Sequence, residues 1–101
     1  MIARLTFFNV QPGQAEELKK MYHEEIAPVI RKQKGNVDAR LLEPADQREE
    51  HISLTEWSSK ADADAYESSG MYKKLVDKVK SKFKGTPVLK TYSIAESKVM
   101  A

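Results

Sequence analysis

The sequence contains no cysteine, and this absence excludes several kinds of chemistry at once. Without a thiol, the chain can form no disulfide, thiolate metal site, iron–sulfur cluster or cysteine nucleophile. It also lacks any apolar run near the ~18–20 residues that a membrane-spanning helix needs. The formal net charge is only +2, which is too small to predict binding to nucleic acid or to a membrane.

Other familiar signatures are missing as well. The four glycines are isolated and fall where the predicted helices begin or end, so no glycine-rich phosphate loop is present. There is no nucleophile elbow and no metalloprotease motif. Residues 1–6 lack the features of a signal peptide, and we therefore expect a cytoplasmic protein. The 101 residues, 41% hydrophobic and 32% charged, predict one globular domain over residues 1–101.

What the chain does contain is a regular succession of strand and helix patterns. Period-two runs predict strands at about residues 2–10, 37–42, 51–57 and 88–94. Helical stripes predict helices from residue 14 to about 34, from 59 to 68 and from 71 to 84, and Pro28 should kink or restart the first of them. The order β-α-β-β-α-α-β is that of a ferredoxin-like split βαβ sandwich, an α+β fold.

The first strand is apolar on both of its faces. Ile2 and Phe8 lie on one face, while Leu5 and Phe7 lie on the other. Helices cover only one face of a split βαβ sheet, so the apolar residues of the second face need a partner. We therefore predict a homodimer that buries this second face.

The third strand carries candidate binding residues. His51, Ser53, Thr55 and Trp57 share one face of it, whereas Ile52, Leu54 and Glu56 share the other. In one interpretation Trp57 stacks on an aromatic ligand while Thr55 or Ser53 orients a hydroxyl group. In the other, Trp57 fills the core. The same two interpretations apply to the aromatic residues predicted on helices, Tyr22, Tyr66 and Tyr72.

Three further residues are candidates for proton transfer or hydrogen bonding. His23 and His51 are the only side chains with an ordinary pKa near neutral pH, so either could accept a proton from a phenol or hydroquinone. Their acidic neighbours also suit exposed positions. Asn9 could donate to a substrate oxygen or simply begin the turn before Pro12. No cluster has the spacing of metal ligands, and we expect no metal site.

One stretch carries the most information. A strand ending at Trp57 leads into an alanine-rich helix with Tyr66, and a Ser68-Ser69-Gly70 break precedes a second amphipathic helix. Residues 12–18, residues 28–36 and the closing strand continue the same pattern. Together these segments resemble the antibiotic biosynthesis monooxygenase family over nearly the whole chain. The resemblance implies a dimeric α/β barrel, in which the sheets of two subunits face one another.

The family resemblance also implies a reaction: oxidation of a small hydroxylated aromatic or quinol by dioxygen, without a cofactor. The protein need only exclude water, hold the ring and favour its anion. Trp57, Tyr66, Tyr22, Asn9 and one histidine would form such a site. The alternative is a non-catalytic dimeric module of the same fold that binds a small ligand or serves in a stress response.

Haem-degrading proteins resemble this fold too, and they provide a second comparison. They use an asparagine on the first strand, a tryptophan on the short helix and a histidine one helix later as iron ligand. Matching the Pro12-Gly13 turn and the Trp57 strand end puts Thr6, Tyr66 and Val76 at those positions. Because valine cannot ligate iron, the sequence argues against haem degradation.

Overall fold

In a computed structural model, residues 1–46 and 48–95 are described, and four strands form one antiparallel sheet. The strands are β1 (Ile2–Val10), β2 (Asn36–Leu42), β3 (His51–Trp57) and β4 (Phe83–Ser93). Their order across the sheet is β2-β3-β1-β4. Helical segments connect β1 to β2 and β3 to β4, so the predicted ferredoxin-like α+β fold is confirmed. Gln47, in the loop between β2 and β3, lies outside the described residues.

The two helical connections pack on the same face of the sheet. The first consists of α1 (Ala15–Met21), a π-helical turn (Tyr22–Ile26) and α2 (Ala27–Arg31). The second consists of α3 (Lys60–Ser68), α4 (Met71–Val79) and a 3₁₀ turn (Lys80–Lys82). None of the helices in the described residues is long and apolar enough to cross a membrane.

The first helical connection differs from its prediction in where it ends. It ends at Arg31 and not near Lys34, because a turn with Gly35 at φ +80° leads into β2. A Cβ at Gly35 would overlap the side chain of Asp62, so this turn approaches α3 closely. The helix is interrupted by the π-helical turn and starts again at α2, with Pro28 in its first turn, where a missing N–H is tolerated. This is the restart that Pro28 predicted.

The last strand begins earlier than predicted. Phe83 belongs to β4, although it continues the apolar stripe of α4. Gly85 and Pro87 were expected to end a helix, but they lie within β4, opposite an irregularity in its pairing with β1. Proline is tolerated there because β4 is an edge strand and needs hydrogen-bond partners on one side only.

The core lies between the sheet and the helices. On β1, the side chains of Ile2, Arg4, Thr6 and Phe8 face the helices, and all four are buried. The first helical connection buries Leu18, Tyr22, Ile26 and Ile30 against them, and α4 adds Leu75 and Val79. The opposite face of the sheet has no covering element among the described residues. It exposes Leu42, Val88 and Tyr92 to 39%, 49% and 51%.

Candidate functional site

A cavity lies between the helix-covered face of the sheet and the helices. Together with the solvent-filled space at its open mouth, the cavity has an empty volume of about 580 Å³. Most of its walls are apolar, and its polar groups come from two strands and three helical segments. The polar lining residues are Arg4, Thr6, Tyr22, Ser53, Thr55, Tyr66 and Tyr72. This mixture of apolar walls and a few polar groups is typical of small-molecule sites.

The enclosed part of the cavity is small. The space open to the centres of water molecules is about 50 Å³, which holds about four waters at ~10–15 Å³ each. Four waters occupy roughly 120 Å³ of liquid at ~30 Å³ apiece. The cavity is therefore closer in size to one substituted aromatic ring than to a fused polycyclic molecule.

The π-helical turn shapes one wall. The N–H of Ala27 donates to the carbonyl of Tyr22, five residues earlier, so this turn holds one residue more than an α-helical turn. Tyr22 and Ile26, at its two ends, both line the cavity. Such insertions occur frequently at functional sites.

Arg4 is the charged group of the cavity lining. Its Nη1 donates to the carbonyl of Ala63 at 3.1 Å, and its Nη2 donates to Glu67 Oε1 at 2.8 Å. The guanidinium carbon lies 5.9 Å from the ring centre of Tyr72. The Arg4 side chain is only 5% exposed, so its positive charge is held in a site that water barely reaches.

Three tyrosines direct their hydroxyl groups into the same region. Tyr72 Oη lies 3.2 Å from Thr6 Oγ1, and Tyr22 Oη lies 3.3 Å from Ser53 Oγ. Tyr66 Oη makes no hydrogen bond within the part of the chain that the structure describes. It is therefore a spare donor at the cavity wall.

Burial disfavours loss of the hydroxyl proton from two of these tyrosines, Tyr66 and Tyr22. Burial raises the pKa of Tyr66 far above its ordinary value, and the nearby Tyr72 and Tyr22 add to this rise while Arg4 opposes it. Burial also raises the pKa of Tyr22, against the effect of its hydrogen bond with Ser53. Both hydroxyls consequently keep their protons at neutral pH and can stabilise a negative oxygen.

Trp57 supports the cavity from behind and does not line it. The indole is fully buried, stacks on the Tyr66 ring with 4.9 Å between ring centres, and donates from Nε1 to Thr55 Oγ1 at 2.9 Å. Tyr66 and Thr55 line the cavity themselves. Of the two interpretations of Trp57, the structure has the indole in the core, and direct stacking on a ligand would require these two residues to move.

The three candidates for proton transfer or donation lie outside the cavity. His51 stacks behind Phe8 at 5.6 Å between ring centres, and burial lowers its pKa against the opposing charge of Glu43. His23 is exposed on the π-helical turn. Asn9 is exposed and projects from the face of the sheet opposite the helices, because it follows Phe8 in the strand alternation. The structure does not bring these three residues together.

Sequence reasoning missed Arg4. The signal was a lone charge in the apolar first strand, on the same face as Ile2 and Phe8 and hence pointed at the helices. A charge at such a position is rare unless it is paired. Tyr72 was considered but not selected, since its pairing with Thr6 joins residues 66 positions apart.

The described residues contain no group of three or more His, Asp or Glu side chains arranged to hold a metal ion. No histidine, aspartate or glutamate lines the cavity, whereas Val76 does. This lining does not fit haem held as the resemblance implies, because it offers the iron no histidine ligand.

Comparisons with known proteins agree with the fold. A family model described as antibiotic biosynthesis monooxygenase matches residues 1–78. No curated protein matches the sequence. The matched range runs from β1 through most of α4, and so it includes the strands and helices that carry Arg4, Tyr22, Tyr66 and Tyr72.

Solved structures share the fold over nearly the full chain. A Nitrosomonas europaea protein named for the same family is 17% identical, covers 95% of this chain and 100% of its own, and has a TM-score of 0.77. A similarly named Deinococcus radiodurans protein is 14% identical, with coverages of 100% and 99% and a TM-score of 0.80. The Mycobacterium tuberculosis haem degrader MhuD, with two haems bound in its active site, is 18% identical, with coverages of 96% and 98% and a TM-score of 0.78. At these identities the similarity shows the fold alone.

Proposed function

Since the chain belongs to the antibiotic biosynthesis monooxygenase family, we propose that it oxidises a small hydroxylated aromatic or quinol with dioxygen and without a cofactor. The observation that carries this proposal is that the buried Arg4 charge and the spare hydroxyl of Tyr66 line the same, largely apolar cavity. Such a site favours an aromatic anion, and the anion is the form that gives electrons to dioxygen.

The reaction needs no electron source other than the substrate. A phenol with a hydrogen opposite its hydroxyl group loses the O–H proton to water, and the anion then passes one electron to dioxygen. The radical and superoxide combine into a C–O bond, the peroxide takes up a proton, and loss of water leaves the quinone. One oxygen atom enters the ring and the other leaves as water. A quinol instead gives a quinone and hydrogen peroxide.

The cavity residues have distinct roles in this proposal. Arg4 and Tyr66 hold the negative oxygen, and Tyr22 and Thr55 flank the ring. Phe8 and the other apolar lining residues exclude water from the reduced oxygen species. Because no carboxylate or imidazole lines the cavity, the proton leaves through the open mouth to solvent. His51, His23 and Asn9 have no part in the reaction as we propose it.

Oxygen consumption tests the proposal. We expect purified protein to accelerate oxygen uptake with single-ring hydroquinones and electron-rich phenols above the buffer rate, and to act less on fused naphthols and anthrones because the cavity is small. An oxygen electrode and a peroxide assay together separate phenol from quinol chemistry. A folded protein with no rate above buffer for any of these compounds would contradict the proposal.

A non-catalytic binding module remains the second candidate, and one observation favours it. The cavity lining contains no base, so catalysis depends on stabilising an anion that forms without help from a side chain. Saturable ligand binding measured by calorimetry, without oxygen uptake, would select this function.

The protein is not expected to degrade haem. Val76 lines the cavity at the position where the family resemblance implies an iron ligand, and both histidines lie outside the lining. Haemin titration should show no stoichiometric shift of the Soret band, and added reductant should not bleach it. The Val76→His variant is the matched control, because it should gain a haemin-dependent spectral shift. Stoichiometric binding and reductant-dependent bleaching in the wild type would contradict this prediction.

We also propose that the protein is a homodimer that buries the uncovered face of the sheet. Light scattering after size exclusion at micromolar concentration should give twice the 11.5 kDa mass of one chain. Leu54→Glu places a charge at the centre of that face and should yield monomers, because a lone buried carboxylate is costly. Lys74→Glu, on exposed helix surface, should leave the dimer intact. A monodisperse wild-type monomer would overturn the proposal.

A further inference from the structure

Arg4 has more hydrogen-bond donors than its protein partners use. A guanidinium group carries five N–H donors. Two of them are directed to the carbonyl of Ala63 and to Glu67 Oε1. The other three have no acceptor within residues 1–46 and 48–95. Because the side chain is 5% exposed, water supplies few acceptors in their place. A buried cation with unused donors gains free energy from any anion that can reach it.

The charge of Arg4 is compensated by the half-exposed carboxylate of Glu67, which does not line the cavity. Glu67 is 50% exposed, so solvent screens its interaction with the guanidinium group. On the cavity side, the guanidinium carbon lies 5.9 Å from the ring centre of Tyr72, and the other polar lining residues, Thr6 and Tyr66 among them, are uncharged. The cavity interior therefore has a positive potential that no lining carboxylate cancels.

We propose that Arg4 determines specificity by binding the oxyanion of a single-ring aromatic ligand, so that the cavity selects anionic over neutral rings. The ring itself lies against the apolar walls, which include Phe8 and Leu75. The oxyanion is a phenolate or a ring carboxylate, since both present the same charged oxygen. That this ligand is also the substrate rests on the proposed function, whereas its selection by charge does not.

A coloured phenol tests the selection directly. The phenolate of 4-nitrophenol is yellow and its phenol form is not, so absorbance reports the protonation state of the bound ring. Its ring is electron-poor and resists oxidation by dioxygen, which separates binding from turnover. We expect the apparent pKa of the bound dye to fall by about one unit relative to the free dye, which corresponds to a tenfold preference for the anion.

Substitutions at Arg4 and at Glu67 should shift the apparent pKa of the bound dye in opposite directions. Arg4→Gln should abolish the fall in the dye pKa, whereas Arg4→Lys should keep part of it. Glu67→Gln should tighten phenolate binding, because it removes the negative charge that offsets Arg4 and keeps an amide oxygen as acceptor. Arg48→Gln is the matched control: Arg48 is 88% exposed in the loop after β2, and its loss should change nothing.

A pair of benzoic acid derivatives shows whether the site selects a ring carboxylate as well as a phenolate. Isothermal calorimetry with 4-hydroxybenzoate and its neutral amide measures selection of a ring carboxylate, while the dye measures selection of a phenolate. Selection in either pair supports the proposal. A wild-type dye pKa at or above the free value, combined with equal affinity for the benzoate and the amide, would overturn it without any variant. Selection of anions without oxygen uptake from hydroquinones would keep this anion site and refute the oxidation.

Discussion

Replacing Trp57 by alanine should lower the free energy of unfolding by about 3–5 kcal/mol, the usual cost of truncating a buried tryptophan. The side chain is fully buried and stacks on Tyr66, so its removal leaves a cavity behind the ligand site. Domains of this size are typically stable by about 5–15 kcal/mol. The variant should therefore lose a large fraction of its total free energy of unfolding.

Urea denaturation followed by circular dichroism measures this loss, at equal protein concentration because the proposed dimer would dissociate as it unfolds. Trp57→Phe is the matched control. It keeps a ring against Tyr66 but loses the hydrogen bond from Nε1 to Thr55 Oγ1, and so its cost should be clearly smaller. Equal midpoints for wild type and Trp57→Ala would show that the stack contributes nothing to stability.

Tyr66→Phe should lower kcat by about 10²-fold while leaving stability nearly unchanged. Removing one preorganised donor from a developing oxyanion typically costs about 10²–10³ in kcat. The phenylalanine ring can still stack on Trp57, and the lost hydroxyl makes no hydrogen bond to a described residue. The effect should thus appear in the rate and not in the urea midpoint.

Tyr92→Phe provides the comparison for this variant. Tyr92 is 51% exposed and lies on the opposite face of the sheet, so the same chemical change there should leave oxygen uptake at the wild-type rate. Steady-state uptake with the best hydroquinone, at saturating and low concentration, separates kcat from KM. A Tyr66→Phe enzyme with unchanged kcat would exclude this hydroxyl from the reaction.

The fold was predictable because each element repeats its apolar residues at its own period. Strand alternation put Ile2 and Phe8 together on one face of β1, and His51 and Trp57 together on one face of β3, and in the structure both of these faces turn toward the helices. Two predicted boundaries were wrong: the end of the first helical connection and the start of β4. At the second of these the local pattern was ambiguous. Phe83 fits both the stripe of α4 and the alternation of β4, and it joins the strand through its pairing with Val10 and its stacking on Phe8, at 4.5 Å between ring centres.

The site was less predictable than the fold, because it depends on contacts between residues far apart in sequence. The alternation put His51 and Trp57 on the correct face, but it could not show that Phe8 and Tyr66 stand between them and the cavity. The donors of Arg4 depend on Ala63 and Glu67, 59 and 63 positions away. No spacing rule connects such residues.

The position of Trp57 gives the protein an internal optical probe. It is the single tryptophan of the sequence, and its indole touches a residue that lines the cavity. A ligand that shifts the Tyr66 ring alters the surroundings of this one fluorophore, with no second emitter of the same kind to dilute the signal. Ligand occupancy can therefore be followed by intrinsic fluorescence on unlabelled protein, in the same sample that is assayed for oxygen uptake.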